Sequence, residues 1–204
     1  MGFVGKNTGA YALESAEAEQ NAKAICDVLM PKGWTIEAIC GVLGNIGAES
    51  GYNPFRWQND DVLPINDPRI DYQNSHAYGL CQFDPAGKYI NYAQSYPGYA
   101  PNYSNRPGNP TDGKAQMLWI NDHADYIPTQ SFPLSYAEYK VATIDNYTIQ
   151  YLTMTWFYNY ERGTWSNTRV SAATYWYNKL RNYQPTGASI PIWLLFKIKE
   201  GGKL

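Results

Sequence analysis

The apolar positions of this chain recur mostly at the three-and-four spacing of amphipathic helices. The clearest run covers residues 36–46 and predicts a helix that Thr35 begins as N-cap. The turn formers between Ser50 and Pro54 predict that this helix ends near Glu49. The same pattern predicts helices over 15–30, 112–124, from 135, over 145–161 and over 167–180, with a further start at 85–92.

Two stretches lack the helical period. Residues 55–84 combine turn signals with short strand-like pieces, which predicts a small β-hairpin region directly after the helix that ends at Glu49. Residues 96–113 are rich in Pro, Gly, Asn and Tyr and predict a long irregular loop. The predicted fold class is therefore mostly α, an α+β domain with one small hairpin region.

Three segments follow from this pattern. Residues 1–13 are predicted to be an N-terminal arm, and residues 14–185 one domain. Residues 186–204 form an apolar segment that is too short to span a bilayer and is expected to dock on the domain or to form a junction. In the last helix, Val170, Ala173, Tyr177 and Leu180 are predicted to face one side.

Composition narrows the classes of function. With 204 residues, a formal charge of -2 and a pI near 5.7, the chain has no broad basic field and predicts no nucleic-acid partner. We expect synthesis without a signal peptide and find no sequence pattern for membrane contact. The 19 Tyr, 7 Trp and 6 Phe fit either a saccharide groove or an aromatic core.

Glu49 is the first candidate for chemistry. It takes the next position of the apolar stripe and lies at the C-terminal end of the predicted helix. Burial and the negative end of a helix dipole are two conditions that favour the protonated form of a carboxylic acid. The position of Glu49 therefore predicts a proton donor. The alternative is a structural role, in which Glu49 only hydrogen-bonds the turn after the helix.

Other kinds of site are disfavoured. His76 and His123 have no metal-ligand spacing, and we predict neither a metal nor another cofactor. Cys26, Cys40 and Cys81 are scattered and odd in number, which argues against a disulfide framework. Cys40 and Cys81 lie within apolar or strand-like segments, and this disfavours a Cys-His hydrolase.

Three short blocks are informative together, namely residues 44–54, residues 78–83 with the pattern Gly-Leu-x-Gln, and residues 158–162 with Tyr-Glu-Arg. A helix ending in Glu, the Gly-Leu-x-Gln segment about thirty residues later and the aromatic helix end resemble the lysozyme superfamily, in particular the phage tail lysozyme family. The resemblance covers about residues 22–180. It implies a lysozyme-like catalytic domain and a virion protein that acts on the bacterial cell wall.

The resemblance also implies roles for individual residues. By matching position, Glu49 would protonate the glycosidic oxygen, Tyr78 and Gln82 would contact the sugar, and Tyr160 and Glu161 would belong to the far wall of the cleft.

Local chemistry leaves other roles open for the last three of these side chains. A Gln amide on a strand can also pin the hairpin to the helix, and Tyr160 can pack on Trp156. Glu161 can form a structural ion pair with Arg162. A second catalytic carboxylate is not selected by spacing among Asp60, Asp61, Asp67, Asp71 and Asp84.

The resulting hypothesis is a muramidase of a phage tail, which cuts peptidoglycan glycan strands while the phage DNA enters the host. Other tail proteins are expected to bind through residues 186–204. Two alternatives stay open, a lytic transglycosylase on the same fold and a catalytically inactive structural or wall-binding module of the tail.

Overall fold

A computed structural model describes residues 2–6, 13–58, 74–94 and 111–186. These residues are mostly helical, as predicted, and the described part of the chain contains no extended strand. No helix in these ranges is long and apolar enough to cross a bilayer. The helices are α1 Ser15–Leu29, α2 Ile36–Ser50, α3 Gly87–Gln94, α4 Thr111–His123, α5 Tyr136–Lys140, α6 Ile149–Trp156 and α7 Thr168–Leu180. A 3-10 turn, Met30–Lys32, follows α1, and a π-helical turn, Phe157–Glu161, continues α6.

Helix α2 lies at the centre of the domain. It packs most extensively against α7 and next against α6, and all of its residues from Ala38 to Ile46 are buried. Thr35 is the N-cap and accepts a hydrogen bond from the Ala38 amide at 3.2 Å, as predicted. Gly51 ends the helix in the left-handed conformation, with φ 57°. The apolar stripe therefore packs α2 into the core, and Glu49 lies in the last turn of this helix.

Some element boundaries differ from the prediction. Helix α6 begins after Thr148 rather than at Asp145, because the Thr148 side chain caps the Tyr151 amide at 3.0 Å. Asp112 does not cap α4. It lies in the first turn of α4, where it is buried and accepts hydrogen bonds from the hydroxyls of Tyr78 and Tyr89.

Only the two ends of the predicted hairpin region belong to the described residues, since 59–73 lie outside them. At these ends Tyr78 forms isolated bridges with Trp57 and with Phe83. Gln82 lies in the turn between Tyr78 and Phe83, with φ 45°, and not in a strand. The β-hairpin itself stays a prediction, as do the loop over 96–110 and the apolar segment beyond Thr186.

The described part of the N-terminal arm docks on the domain. Asn21 of α1 accepts from the Val4 amide and donates to the Val4 carbonyl, each at 2.8 Å. Asn53 makes the equivalent pair with the backbone of Lys6 at 3.2 and 2.8 Å. Two asparagine amides therefore satisfy the backbone groups of Val4 and Lys6 as a neighbouring strand would.

Helices α2 and α7 approach each other at Gly44. A Cβ atom at this position would lie 2.4 Å from the carbonyl oxygen of Arg169 and 2.7 Å from the Cβ of Ala173. Both distances are far below van der Waals contact, so any larger residue must push the two helices apart.

We expect Gly44→Ala to reduce the free energy of unfolding by about 1–3 kcal/mol, the usual cost of overpacking. Urea unfolding followed by tryptophan fluorescence measures this change. Gly163→Ala is the matched control, because nothing lies within 4 Å of a Cβ atom placed there. Equal stability of the two variants would contradict close packing at Gly44.

Candidate active site

Glu49 lies at the junction of α2 with α7 and with the segment after α2. Its side chain is 22% exposed. The backbone carbonyl of Glu49, one of those left without a helical partner, accepts a hydrogen bond from Nη1 of Arg56 at 2.9 Å. The carboxylate is thus held at a well-defined helix end and remains accessible from one side.

Arg169 of α7 is the charged partner of Glu49. Its Nη2 donates to Oε1 of Glu49 at 2.7 Å, and its Nη1 donates to Oδ1 of Asn45 at 3.2 Å. Asn45 is buried and donates to the carbonyl of Thr153 in α6 at 3.1 Å. This polar network joins α2, α6 and α7 and fixes the orientation of the guanidinium group.

Sequence reasoning did not identify Arg169. The buried face of α7 consists of Arg169, Ala173, Trp176 and Leu180, whereas the predicted face contained Val170 and Tyr177. Those two residues are only partly buried. The spacing of the buried residues is helical, but a charged residue at its first position is normally assigned to solvent. One feature of the sequence could have indicated Arg169: a carboxylate that the apolar stripe places partly in the core, as it does Glu49, favours a nearby positive charge.

A cavity of about 540 Å³, within the usual size range of ligand pockets, lies between the 81–85 segment, α4 and the end of the π-helical turn. Its lining combines aromatic rings with charged groups of both signs. Glu49 is not part of the lining, but its charge acts on Cys81 and Glu161, which are. The lining residues are Cys81, Gln82, Phe83, Asp84, Pro85, Lys88, Trp119, His123, Asp125, Tyr160, Glu161 and Arg162.

Glu161 ends the π-helical turn that continues α6 and faces this cavity. Nε1 of Trp156 donates to Oε1 of Glu161 at 3.0 Å. Burial and the negative charge of Glu49 raise the pKa of Glu161 to about 8, although the Trp156 hydrogen bond and the charge of Arg169 partly offset this. Burial and the neighbouring negative charge therefore favour the protonated form of Glu161.

The ion pair between Glu161 and Arg162 that the sequence left open is not seen. Arg162 instead pairs with Asp125 at 3.8 Å and donates to the carbonyl of Asp125. Its backbone is left-handed, with φ 56°, so it turns the chain away directly after Glu161. Glu161 and Arg162 are adjacent in sequence, but Glu161 accepts from Trp156 whereas Arg162 pairs with Asp125.

Gln82 and Tyr160, two of the predicted sugar contacts, both line the cavity. Nε2 of Gln82 donates to the carbonyls of Arg56 at 3.1 Å and Gly79 at 3.0 Å, so this amide holds its own turn to the segment after α2. The ring of Tyr160 packs 4.6 Å from that of Trp156, which combines a position on the cavity with contact to the core. For these two residues the structural and the sugar-binding roles are compatible.

Tyr78, the remaining predicted contact, is placed differently. It is fully buried, its hydroxyl donates to Asp112, and it is not among the cavity-lining residues. Tyr78 therefore supports the segment that carries Gln82 from behind, and its buried ring does not face the cavity where a sugar would bind. In a strand, residues two positions apart share a face, but this segment is a turn. The spacing of Tyr78 and Gln82 therefore could not show which of them faces the cavity.

The structure also places the candidates for other kinds of chemistry, namely Cys81, the five aspartates and the possible metal ligands. Burial raises the pKa of the Cys81 thiol, and the charges of Glu161 and Glu49 raise it further, so Cys81 has no thiolate character. Of the five aspartates considered, Asp84 lines the cavity, and the others lie outside the described residues. Among the described residues there is no cluster of three or more His, Cys, Asp or Glu side chains suited to a metal.

Comparison with known proteins adds evidence of a different kind. The sequence model of the phage tail lysozyme family matches residues 20–180. Morphogenesis protein 1 of Bacillus phage B103 is 33% identical to this chain over 190 residues. The match covers 92% of this chain and 46% of that relative, so the chain spans about half the length of the curated relative.

Proposed function

The chain belongs to the phage tail lysozyme family, and from this premise we propose that it is a muramidase of a phage tail with Glu49 as general acid. Its substrate would be the glycan strand of peptidoglycan, cut while the phage DNA enters the host. The observation that carries this proposal is that Glu49, near the end of α2, acts electrostatically on Cys81 and Glu161. Both of these residues line the cavity, together with Gln82 and Tyr160.

The chemistry requires one proton and one water molecule. A carboxyl group gives its proton to the glycosidic oxygen, the bond from that oxygen to the anomeric carbon breaks, and positive charge develops on the sugar ring. Water then adds to the anomeric carbon and its proton returns to a carboxylate. Glu49 suits the first step because hydrogen bonds from Arg56 and Arg169 fix its position at the helix end.

The cavity also supports binding of a sugar chain. Trp119 and Tyr160 offer aromatic surface for the C–H faces of pyranose rings. The carbonyl oxygen of the Gln82 amide can accept from an N-acetyl or hydroxyl group, since Nε2 is engaged with the backbone. Asp84 and Glu161 are the candidates for a second carboxylate on this surface.

The partner proposal concerns the rest of the virion. Residues 186–204 are proposed to bind other tail proteins through their apolar side chains. The family description places such proteins in phage tails, and the longer relative is named a morphogenesis protein. Both facts support a protein that acts at the cell wall as part of a larger assembly.

We expect the full chain to release soluble muropeptides from purified peptidoglycan. Mass spectrometry identifies the new chain ends, and N-acetylmuramic acid at the reducing end is the expected result. Anhydromuramic ends would instead establish a lytic transglycosylase, and N-acetylglucosamine ends would establish cleavage of the other bond. Intact peptidoglycan without soluble products would overturn the proposal of an enzyme in favour of an inactive tail module.

A further inference from the structure

We infer that Asn45 is a positioning residue for the proposed reaction. Its side chain holds the guanidinium group of Arg169, which in turn holds the Glu49 carboxyl group in the orientation from which a proton reaches the glycan. Asn45 is fully buried, so it acts through Arg169 and does not touch the substrate. The inference rests on the proposed function and deepens it.

Asn45 lies one helical turn before Glu49 on the same face of α2, about 6 Å away along the helix axis. The positions on either side of it in the core, Gly44 and Ile46, are also fully buried. A polar side chain in such a place destabilises the fold unless its atoms find hydrogen-bond partners. The partners of the Asn45 amide therefore show what it does.

These partners fix the orientation of the Asn45 amide. Nδ2 donates to the carbonyl of Gly41 at 2.9 Å and to the carbonyl of Thr153 at 3.1 Å. Oδ1 accepts from Nη1 of Arg169 at 3.2 Å. A flipped amide would place Nδ2 against another donor and Oδ1 against two carbonyl oxygens, so only one orientation gives both atoms a partner.

The guanidinium group of Arg169 is held at two ends. Nη1 donates to Asn45, and Nη2 donates to Oε1 of Glu49 at 2.7 Å. Cζ lies 4.8 Å from the centre of the Phe157 ring, a contact that restricts tilting of the planar group but not rotation within its own plane. The hydrogen bond to Asn45 opposes that rotation.

Rotation of the guanidinium group would move the Glu49 carboxyl group. Nε of Arg169 is buried and has no hydrogen-bond partner within the described ranges, so it is available to replace Nη2 at Glu49 once Asn45 is lost. Arg56 does not prevent this, because it donates to the backbone carbonyl of Glu49 and not to the carboxyl group. In the present arrangement Oε1 is occupied by Arg169, and Oε2 is left to carry the proton.

Asn45→Leu tests the inference on a soluble peptidoglycan fragment. Leu has nearly the same shape but cannot accept from Arg169, and the Thr153 carbonyl keeps its helical partner, the Phe157 amide. We expect kcat to fall about 10- to 100-fold, the usual effect of misplacing a reacting group. KM should stay within about twofold, because no contact to the substrate is removed. Asn45→Ala removes the same acceptor without added apolar bulk and should give the same loss.

A double-mutant cycle separates positioning from packing. In the Arg169→Met background there is no guanidinium group to hold, so Asn45→Leu should lower kcat by less than about twofold. A packing defect would lower kcat by the same factor in both backgrounds. Thr155→Val is the matched control, since this buried hydroxyl of α6 bonds to the Tyr151 carbonyl at 2.8 Å, and it should keep the wild-type kcat. Equal losses in the two backgrounds, or an unchanged kcat in Asn45→Leu, overturn the inference.

A second measurement needs neither substrate nor activity. A guanidinium group held at both ends rotates slowly, so NMR of the 15N-labelled protein should resolve separate Nη–H signals for Arg169, identified by their absence from Arg169→Met. The signals should merge in Asn45→Leu and stay separate in Thr155→Val. Signals that are merged in the wild-type protein, or separate in Asn45→Leu, overturn the inference. Failure of the wild-type protein to lyse peptidoglycan overturns the proposed function, whereas normal lysis with separate signals in Asn45→Leu refutes only the role of Asn45.

Discussion

Replacing Glu49 with Gln is expected to lower the rate of wall lysis by about 100- to 10,000-fold, the contribution of a general acid. The amide has the same shape, and its oxygen can accept from Nη2 of Arg169 as the carboxylate does. It has no acidic proton to give to the glycosidic oxygen, so the fold should persist while the chemistry is lost. Initial rates of turbidity loss on purified walls measure the effect, with circular dichroism to verify the fold.

The control for this experiment lies on the same helix. Glu37 is in the first turn of α2, and at 1.5 Å per residue it lies about 18 Å from Glu49 along the helix axis. Glu37→Gln removes the same charge from the same element and should leave the rate unchanged. Lysis by Glu49→Gln at close to the wild-type rate would exclude Glu49 from the chemistry.

The local pattern of the sequence predicts much of the helical framework. Thr35 caps α2 as expected, and Ser135 with Glu138 forms the reciprocal capping box that their spacing indicates. These features depend on residues three or four positions apart. The same is true of the apolar stripe that leads to Glu49, so the position of this residue at a helix end follows from sequence alone.

The contacts that complete the site depend on distant residues. Arg169 is 120 positions from Glu49 in the chain, and no local period connects them. The π-helical turn that directs Glu161 to the cavity also has no signal in the three-and-four pattern, which continues through it. Sequence reasoning therefore located Glu49 at its helix end, but it missed the Arg169 counter-ion and the hydrogen bond from Trp156 to Glu161.

The prediction for the hairpin region was wrong at Gln82, which lies in a turn and not in a strand. The strand-like pieces between turn signals predict a strand at Tyr78 and Gln82, but the four residues between the bridging positions Tyr78 and Phe83 form a turn instead. In a turn, side chains at even spacing need not share a face. This is why Gln82 lines the cavity while Tyr78 is buried against Asp112.

Arg169→Met should be the most destabilising substitution at the site. Met fills much of the same volume, but Glu49 and Asn45 lose their donor and the Glu49 carboxylate loses its counter-charge. We expect the free energy of unfolding to fall by about 3 kcal/mol, the lower end for breaking a buried ion pair, because the Glu49 side chain is 22% exposed. Urea unfolding at pH 7 measures this change.

A double-mutant cycle assigns that cost to the charge. In the Glu49→Gln background no carboxylate is left unpaired, so Arg169→Met should destabilise by distinctly less than in the wild-type protein. Arg181→Met, an exposed position just after α7, controls for loss of a positive charge and should change stability by less than about 0.5 kcal/mol. An equal cost in both backgrounds would mean that Arg169 stabilises α7 through Asn45 and packing on Phe157, and that the ion pair contributes little.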